Sequence, residues 1–168
     1  MPDEDYDDDS PAEPGAYSSG TTPAIATVQD RKAADSWHSP AEVLAALSQH
    51  PDTDVRRRVA GNPAVPPEVL TRLCQSHHSE VRQAAAANPS VPLGAIGQLA
   101  QDNDLRVRMA VASNPNCPPQ MLSQLSQDPQ AQVRMWVAQH RRTPGTVLRK
   151  LAADPNPEVA RVASGCLT

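Results

Sequence analysis

Five valines, Val55, Val81, Val107, Val133 and Val159, stand 26 residues apart in a 168-residue chain, and no insertion or deletion disturbs the spacing. Arg56, Arg82, Arg108 and Arg134 follow one residue later, with Ala160 in the fifth copy. Asn62, Asn88 and Asn114 share a second phase, each followed by proline, and Pro40, Pro66, Pro92, Pro118 and Pro144 share a third. Leu44, Leu70, Ile96, Leu122 and Leu148 form an apolar ladder, with Leu47, Leu73, Leu99, Leu125 and Leu151 beside it. A strict period of this length is the signature of a solenoid, whose units bury their apolar faces only against one another.

Each copy reads as two short helices. "PPEVLTRL" begins at prolines, which fit a first helical turn where N–H groups have no partner anyway. Val65, Val69, Leu70 and Leu73 then share one face. "DVRRRVAG" begins at Asp54 as the expected N-cap, with Val55, Val59 and Ala60 facing inward. It must end before Asn62-Pro63, because proline disfavours helix in the residue before it. Segments of two turns are marginal alone in water, so the copies have to stack. At about 8–10 Å per helix layer, five copies make a rod roughly 40–50 Å long.

The solenoid pattern begins at Ser36. Before it, "MPDEDYDDDS" places six acids in nine residues, and the following stretch is rich in Pro, Ser, Gly, Thr and Ala. Such a segment cannot bury enough surface to offset its ordering entropy, so residues 1–35 are expected to be a disordered acidic tail. Residues 36–168 are assigned to the solenoid, with repeats at about 36–61, 62–87, 88–113, 114–139 and 140–168. Residues 1–35 carry nine acids and two bases and residues 36–168 ten acids and thirteen bases, so the chain's −4 divides as −7 and +3. No apolar run approaches the length of a membrane span, and no basic n-region leads into an apolar h-region. The expectation is a cytoplasmic chain without a membrane partner.

The stretch "HPDTDVRRRVAGNPAVPPEVLTRL" resembles the leucine-rich repeat variant, a bacterial repeat carrying Val-Arg, Ala-x-Asn-Pro and Pro-x-x-x-Leu-x-x-Leu. The resemblance covers Ser36 to about Gly165. It implies an all-α, right-handed solenoid of alternating α and 3₁₀ helices. HEAT repeats share the element seen here as "DPQAQVR" from Asp128, but their helices are longer and less strictly spaced. A founding type of the family is associated with a cysteine-ligated iron–sulfur cluster in a separate N-terminal segment. The first 73 residues of this chain contain no cysteine, so no cluster is expected.

Chemistry is sparse. Cys74, Cys117 and Cys166 form no CxxC pair, and His77-His78 has no ligand set at metal spacing. No Ser-His-Asp order, glycine-rich phosphate loop or HExxH string occurs. Neither an enzyme, a cofactor nor a metal is therefore expected. Arg56, Arg82, Arg108 and Arg134 sit near helix starts, where the dipole disfavours a cation. Each has carboxylates a few residues upstream, among them Asp52, Asp54, Glu80, Asp102, Asp104 and Asp128. This reads as a structural ladder between repeats, and Asn62, Asn88 and Asn114 as a second ladder that bonds the turn backbone of the next copy. The competing reading of the arginines is a groove for nucleic acid or another polyanion.

Where the copies differ, a partner can be read. The two residues after the ladder arginine are Arg57-Arg58, Gln83-Ala84, Met109-Ala110 and Met135-Trp136. Large apolar residues partly off the buried stripe suit a binding surface. Arg141, Arg142, Arg149 and Lys150 replace the Asn-Pro region of the fourth copy with a basic cluster. The sequence thus points to a non-catalytic protein-interaction scaffold whose partner surface is Met109, Met135, Trp136, Arg141, Arg142, Arg149 and Lys150.

Overall fold

The computed structural model describes residues 26–167. Among them are eleven helices and no strand: α1 Val28–Asp35, α2 Ala41–Leu47, α3 Thr53–Gly61, α4 Pro67–Leu73, α5 Ser79–Ala87, α6 Leu93–Leu99, α7 Leu105–Ser113, α8 Pro119–Leu125, α9 Ala131–Gln139, α10 Gly145–Leu151 and α11 Pro157–Gly165. The odd-numbered helices stack one on the next, α1 on α3 through to α11. Each even-numbered helix leans on the longer helices before and after it, making a second layer. The chain is an all-helical solenoid.

The expected apolar ladders form one continuous core. Val55, Val81, Val107, Val133 and Val159 are fully buried, and Leu44, Leu70, Ile96 and Leu122 line the seam between the layers. Val65, Val91 and Cys117 occupy another equivalent buried position. At that position Ser39 and Thr143 keep the core satisfied by donating their hydroxyls to carbonyls six residues back, Ala33 and Val137.

The turns need no unusual backbone. No described residue, glycine included, has a positive φ. Asn62, Asn88 and Asn114 end the long helices in the extended region, with ψ of 123°, 126° and 122°, as a following proline demands. The short helices begin at Pro40, Pro66, Pro92, Pro118 and Pro144, whose carbonyls each accept from the residue four ahead and, except at Pro66, from the residue three ahead as well. These helices are α rather than 3₁₀, although i→i−3 bonds tighten their C-terminal ends.

Two expectations about boundaries are corrected. The N-cap of α3 is Asp52, which accepts from the Asp54 backbone N–H; Asp54 lies inside the helix. The tail expected over residues 1–35 does not extend to 35. Val28–Asp35 is a helix with a complete capping box between Thr27 and Asp30, packed on α3 with Ala34 fully buried. Ala34 stands 26 residues before Ala60, which places α1 as an additional copy of the long helix. Residues 1–25 lie outside the described residues.

Candidate functional site

Arg82, Arg108 and Arg134 build the inter-repeat ladder, with partners other than the upstream carboxylates expected. Arg108 Nε and Nη2 donate to Asp128 at 2.7 and 3.3 Å, twenty residues ahead in the next copy. Its Nη1 donates back to the Asp102 carbonyl at 2.8 Å. Arg82 binds Asp102 and the Ser76 carbonyl in the same manner, and Arg134 binds Asp154 and the Asp128 carbonyl. The aspartates also shape the turn into the next long helix. Asp102, Asp128 and Asp154 each accept the backbone N–H two residues on. Burial of Asp102 works against its charge, yet Arg82 and the Asp104 amide outweigh it and hold the carboxyl below the ordinary range. The Arg134 hydrogen bond does the same for Asp154.

The first copies break this pattern. Arg56 has Ser76 where a carboxylate would stand, and donates to the His50 and Pro51 carbonyls and to Thr53. One copy earlier the polarity is inverted. Asp30 stands at the arginine position and His50 at the aspartate position, 3.9 Å apart. Around them Arg31, Arg57 and Arg58 pair with Asp35, Asp52 and Asp54, and the Arg58 and Arg57 hydrogen bonds lower the Asp54 carboxyl to about 2.

The asparagine ladder points to the preceding copy, not the next one. Asn88 donates both amide hydrogens, to the Ala60 and Asn62 carbonyls at 2.8 and 2.9 Å, and its Oδ1 accepts the Ser90 N–H. Asn62 and Asn114 repeat the arrangement on Ala34/Ser36 and Ala86/Asn88. At the end of α9 His140 replaces asparagine. Its Nε2 meets the Asn114 carbonyl at 2.9 Å and its Nδ1 accepts the Arg142 N–H. An imidazole offers one bond across the seam where the amide offers two.

At this altered turn the surface opens. Ser113, Pro115, Trp136, Gln139, His140 and Arg141 line a cleft of about 390 Å³ at the C-terminal ends of α7 and α9. Trp136 is 41% exposed, whereas the equivalent Ala110 is buried. The surface expected from the sequence is therefore only partly assembled. Met109 and Met135 are half-buried and pack against the core rather than standing free of it. Trp136 and Arg141 meet at the cleft; Arg142 is exposed beside it, and Arg149 and Lys150 are exposed on α10. His140 is a cleft residue that the sequence reading does not single out. Its signal is the loss of the Asn-Pro pair at that phase.

Nothing else in the described residues gathers reactive groups. No cluster of His, Cys, Asp and Glu able to hold a metal ion occurs among them. Burial pushes the Cys74 and Cys117 thiols up to about 11. No helix in this region is long and apolar enough to cross a membrane.

Stacked two-helix units clasped by paired ladders define a helical repeat solenoid. The leucine-rich repeat variant model matches residues 80–104 and 105–130. A solved leucine-rich repeat variant with a novel repetitive structural motif is 30% identical, with a TM-score of 0.63, over 78% of this chain and 52% of that one. Residues 80–130 thus carry two leucine-rich repeat variant units, and the chain as a whole is similar in fold to that solved member. The chain spans about half the length of that solved relative. An engineered protein of known structure is 22% identical, with a TM-score of 0.48, over 82% of this chain and 87% of its own. No curated protein matches the chain.

Proposed function

We propose that this chain is a non-catalytic protein-binding scaffold whose partner docks at the Trp136 cleft. The observation carrying this reading is the exposed indole in a cleft formed where the turn after α9 abandons the Asn-Pro pattern. Trp and Arg are among the residue types enriched at the energetic centres of protein interfaces. A solenoid lays neighbouring copies side by side, so a partner can span several of them.

The polyanion reading loses three of its four proposed ligands. The guanidinium groups of Arg82, Arg108 and Arg134 are each held by a carboxylate and a carbonyl, with side chains 19%, 13% and 13% exposed. They support stacking rather than phosphate capture.

The test is affinity capture with the full chain, its Trp136→Ala variant and an Arg72→Glu surface control, after nuclease treatment. A partner kept by the control and lost by Trp136→Ala supports the reading. Capture that requires nucleic acid, or that ignores Trp136, overturns it.

A further inference from the structure

The cations of this chain are unevenly satisfied. Arg31, Arg57, Arg58, Arg82, Arg108, Arg134 and Arg161 all form ion pairs. Arg141, Arg142, Arg149 and Lys150 are exposed and form none among the described residues. Residues 139–153 contain these four cations and no Asp or Glu, and the next carboxylate, Asp154, is already committed to Arg134. Four unneutralised charges on one turn and the helix after it produce a local positive field.

The same chain carries the complement. Segment 3–9 holds six acids around Tyr6, and residues 1–25 contain no base. We propose that acidic segment 3–9 docks in cis on Arg141, Arg142, Arg149 and Lys150, covering the basic end of the partner surface. This rests on the reading of that end as a docking surface, and makes the chain its own competitor for a partner that must itself be acidic.

The reach is sufficient. From Asp9 to Ala26 there are seventeen peptide steps, and at about 3.3 Å each the linker spans up to roughly 56 Å. From α1 to α9 is four helix layers of about 10 Å, hence roughly 40 Å, plus about 14 Å across one long helix. Cations closer to Ala26 are poorer targets. Arg31, Arg57 and Arg58 are paired with Asp35, Asp52 and Asp54, whose charges repel an acidic segment. Arg72 and Arg106 stand singly on separate copies.

Carbodiimide cross-linking of the full chain tests this, because the sequence has only two lysines, Lys32 and Lys150. The expected product is an amide between Lys150 Nζ and a carboxylate of segment 3–9, within one molecule. In an equal mixture of ¹⁵N-labelled and unlabelled chains its peptides should not mix isotopes. Its yield should fall at least about five-fold in roughly 0.5 M NaCl, where the Debye length is a few ångströms. It should fall similarly in the Arg141→Gln/Arg142→Gln/Arg149→Gln variant. Isotope-mixed links would assign the surface to a second copy and overturn docking in cis. Links confined to Lys32, or no link although Lys150 still reacts with an acetylating reagent, would overturn it as well. The readout uses this chain alone, so its failure leaves the Trp136 capture result intact.

Discussion

Arg108 and Asp128 lie twenty residues apart in sequence and 2.7 Å apart in space, and each makes two connections. The arginine ties its own loop carbonyl to the next copy, while the aspartate ties the arginine to the turn that launches α9. With the Asp128 side chain 4% exposed, losing the guanidinium strands a charge away from water. Arg108→Ala is expected to cost about 2–4 kcal/mol. Arg57→Ala removes a 45%-exposed partner of Asp54 and is expected to cost no more than about 1 kcal/mol. Urea denaturation of both variants compares them, and equal midpoints would return the arginines to the surface.

Acid should loosen the stack in a defined window. Asp54, Asp102 and Asp154 have carboxyls held below the ordinary value by their partners. A group depressed in the folded state contributes its full stabilisation above its unfolded value, about 3.9, and loses it as pH falls through the folded one. The melting temperature should therefore be insensitive to these groups near neutrality and fall from about pH 4 downward, towards about 2 for Asp54. Asp154→Asn should lower the neutral-pH midpoint and flatten part of this acid limb. Melts at pH 7, 5, 4, 3 and 2 measure both effects.

Removing α1 should matter. Ala34 is fully buried, and the Asn62 amide donates to the Ala34 and Ser36 carbonyls. Truncation after residue 35 uncovers the α3 face and removes one of the two acceptors of that buried amide, the Ala34 carbonyl. The expected result is a melting temperature lower by several degrees than that of a chain starting at residue 26, since about 1 kcal/mol moves a domain of this size by a few degrees. Identical melts would show that α1 is dispensable.

Thiol chemistry should be confined to one cysteine. Cys74 and Cys117 are buried and carry thiols raised to about 11, whereas Cys166 is exposed. Ellman's reagent at pH 8 should titrate one thiol in the native protein and three in urea. Rapid native reaction of three would mean that the layers part readily.

Trp136 should be a surface residue in solution. In a Trp37→Leu background, iodide should quench the remaining indole, and Trp136→Ala should cost well under the roughly 3–5 kcal/mol of a buried ring. A blue-shifted, unquenched emission would bury the ring and close the cleft.

The period makes the solenoid, its core ladders and the structural nature of Arg82, Arg108 and Arg134 readable from the sequence. It hides the direction of the bonds. A repeating chain places a residue as close to the neighbouring copy as to its own loop, so Asp102 upstream of Arg108 looks like its partner when Asp128 holds it. The same ambiguity reverses the asparagine ladder. Helix α1 escapes the pattern because Gln29 and Asp30 replace the Val-Arg pair, although Ala33 and Ala34 stay in phase. The half-burial of Met109 and Met135 is not legible either, because a flexible thioether beside a buried stripe folds down onto it.

The clasps are not evenly distributed. Between α3 and α5 the arginine clasp is absent because Ser76 stands where Asp102 stands one copy later, and between α7 and α9 His140 gives one bond where asparagine gives two. In a one-dimensional array, whose cohesion is the sum of its joints, such places are fault lines. Amide hydrogens at these seams should exchange at lower opening energies than those between α5 and α7, where the clasp and the amide pair are both complete. The array would then behave as blocks separated by hinges, and the more C-terminal hinge runs through the floor of the Trp136 cleft.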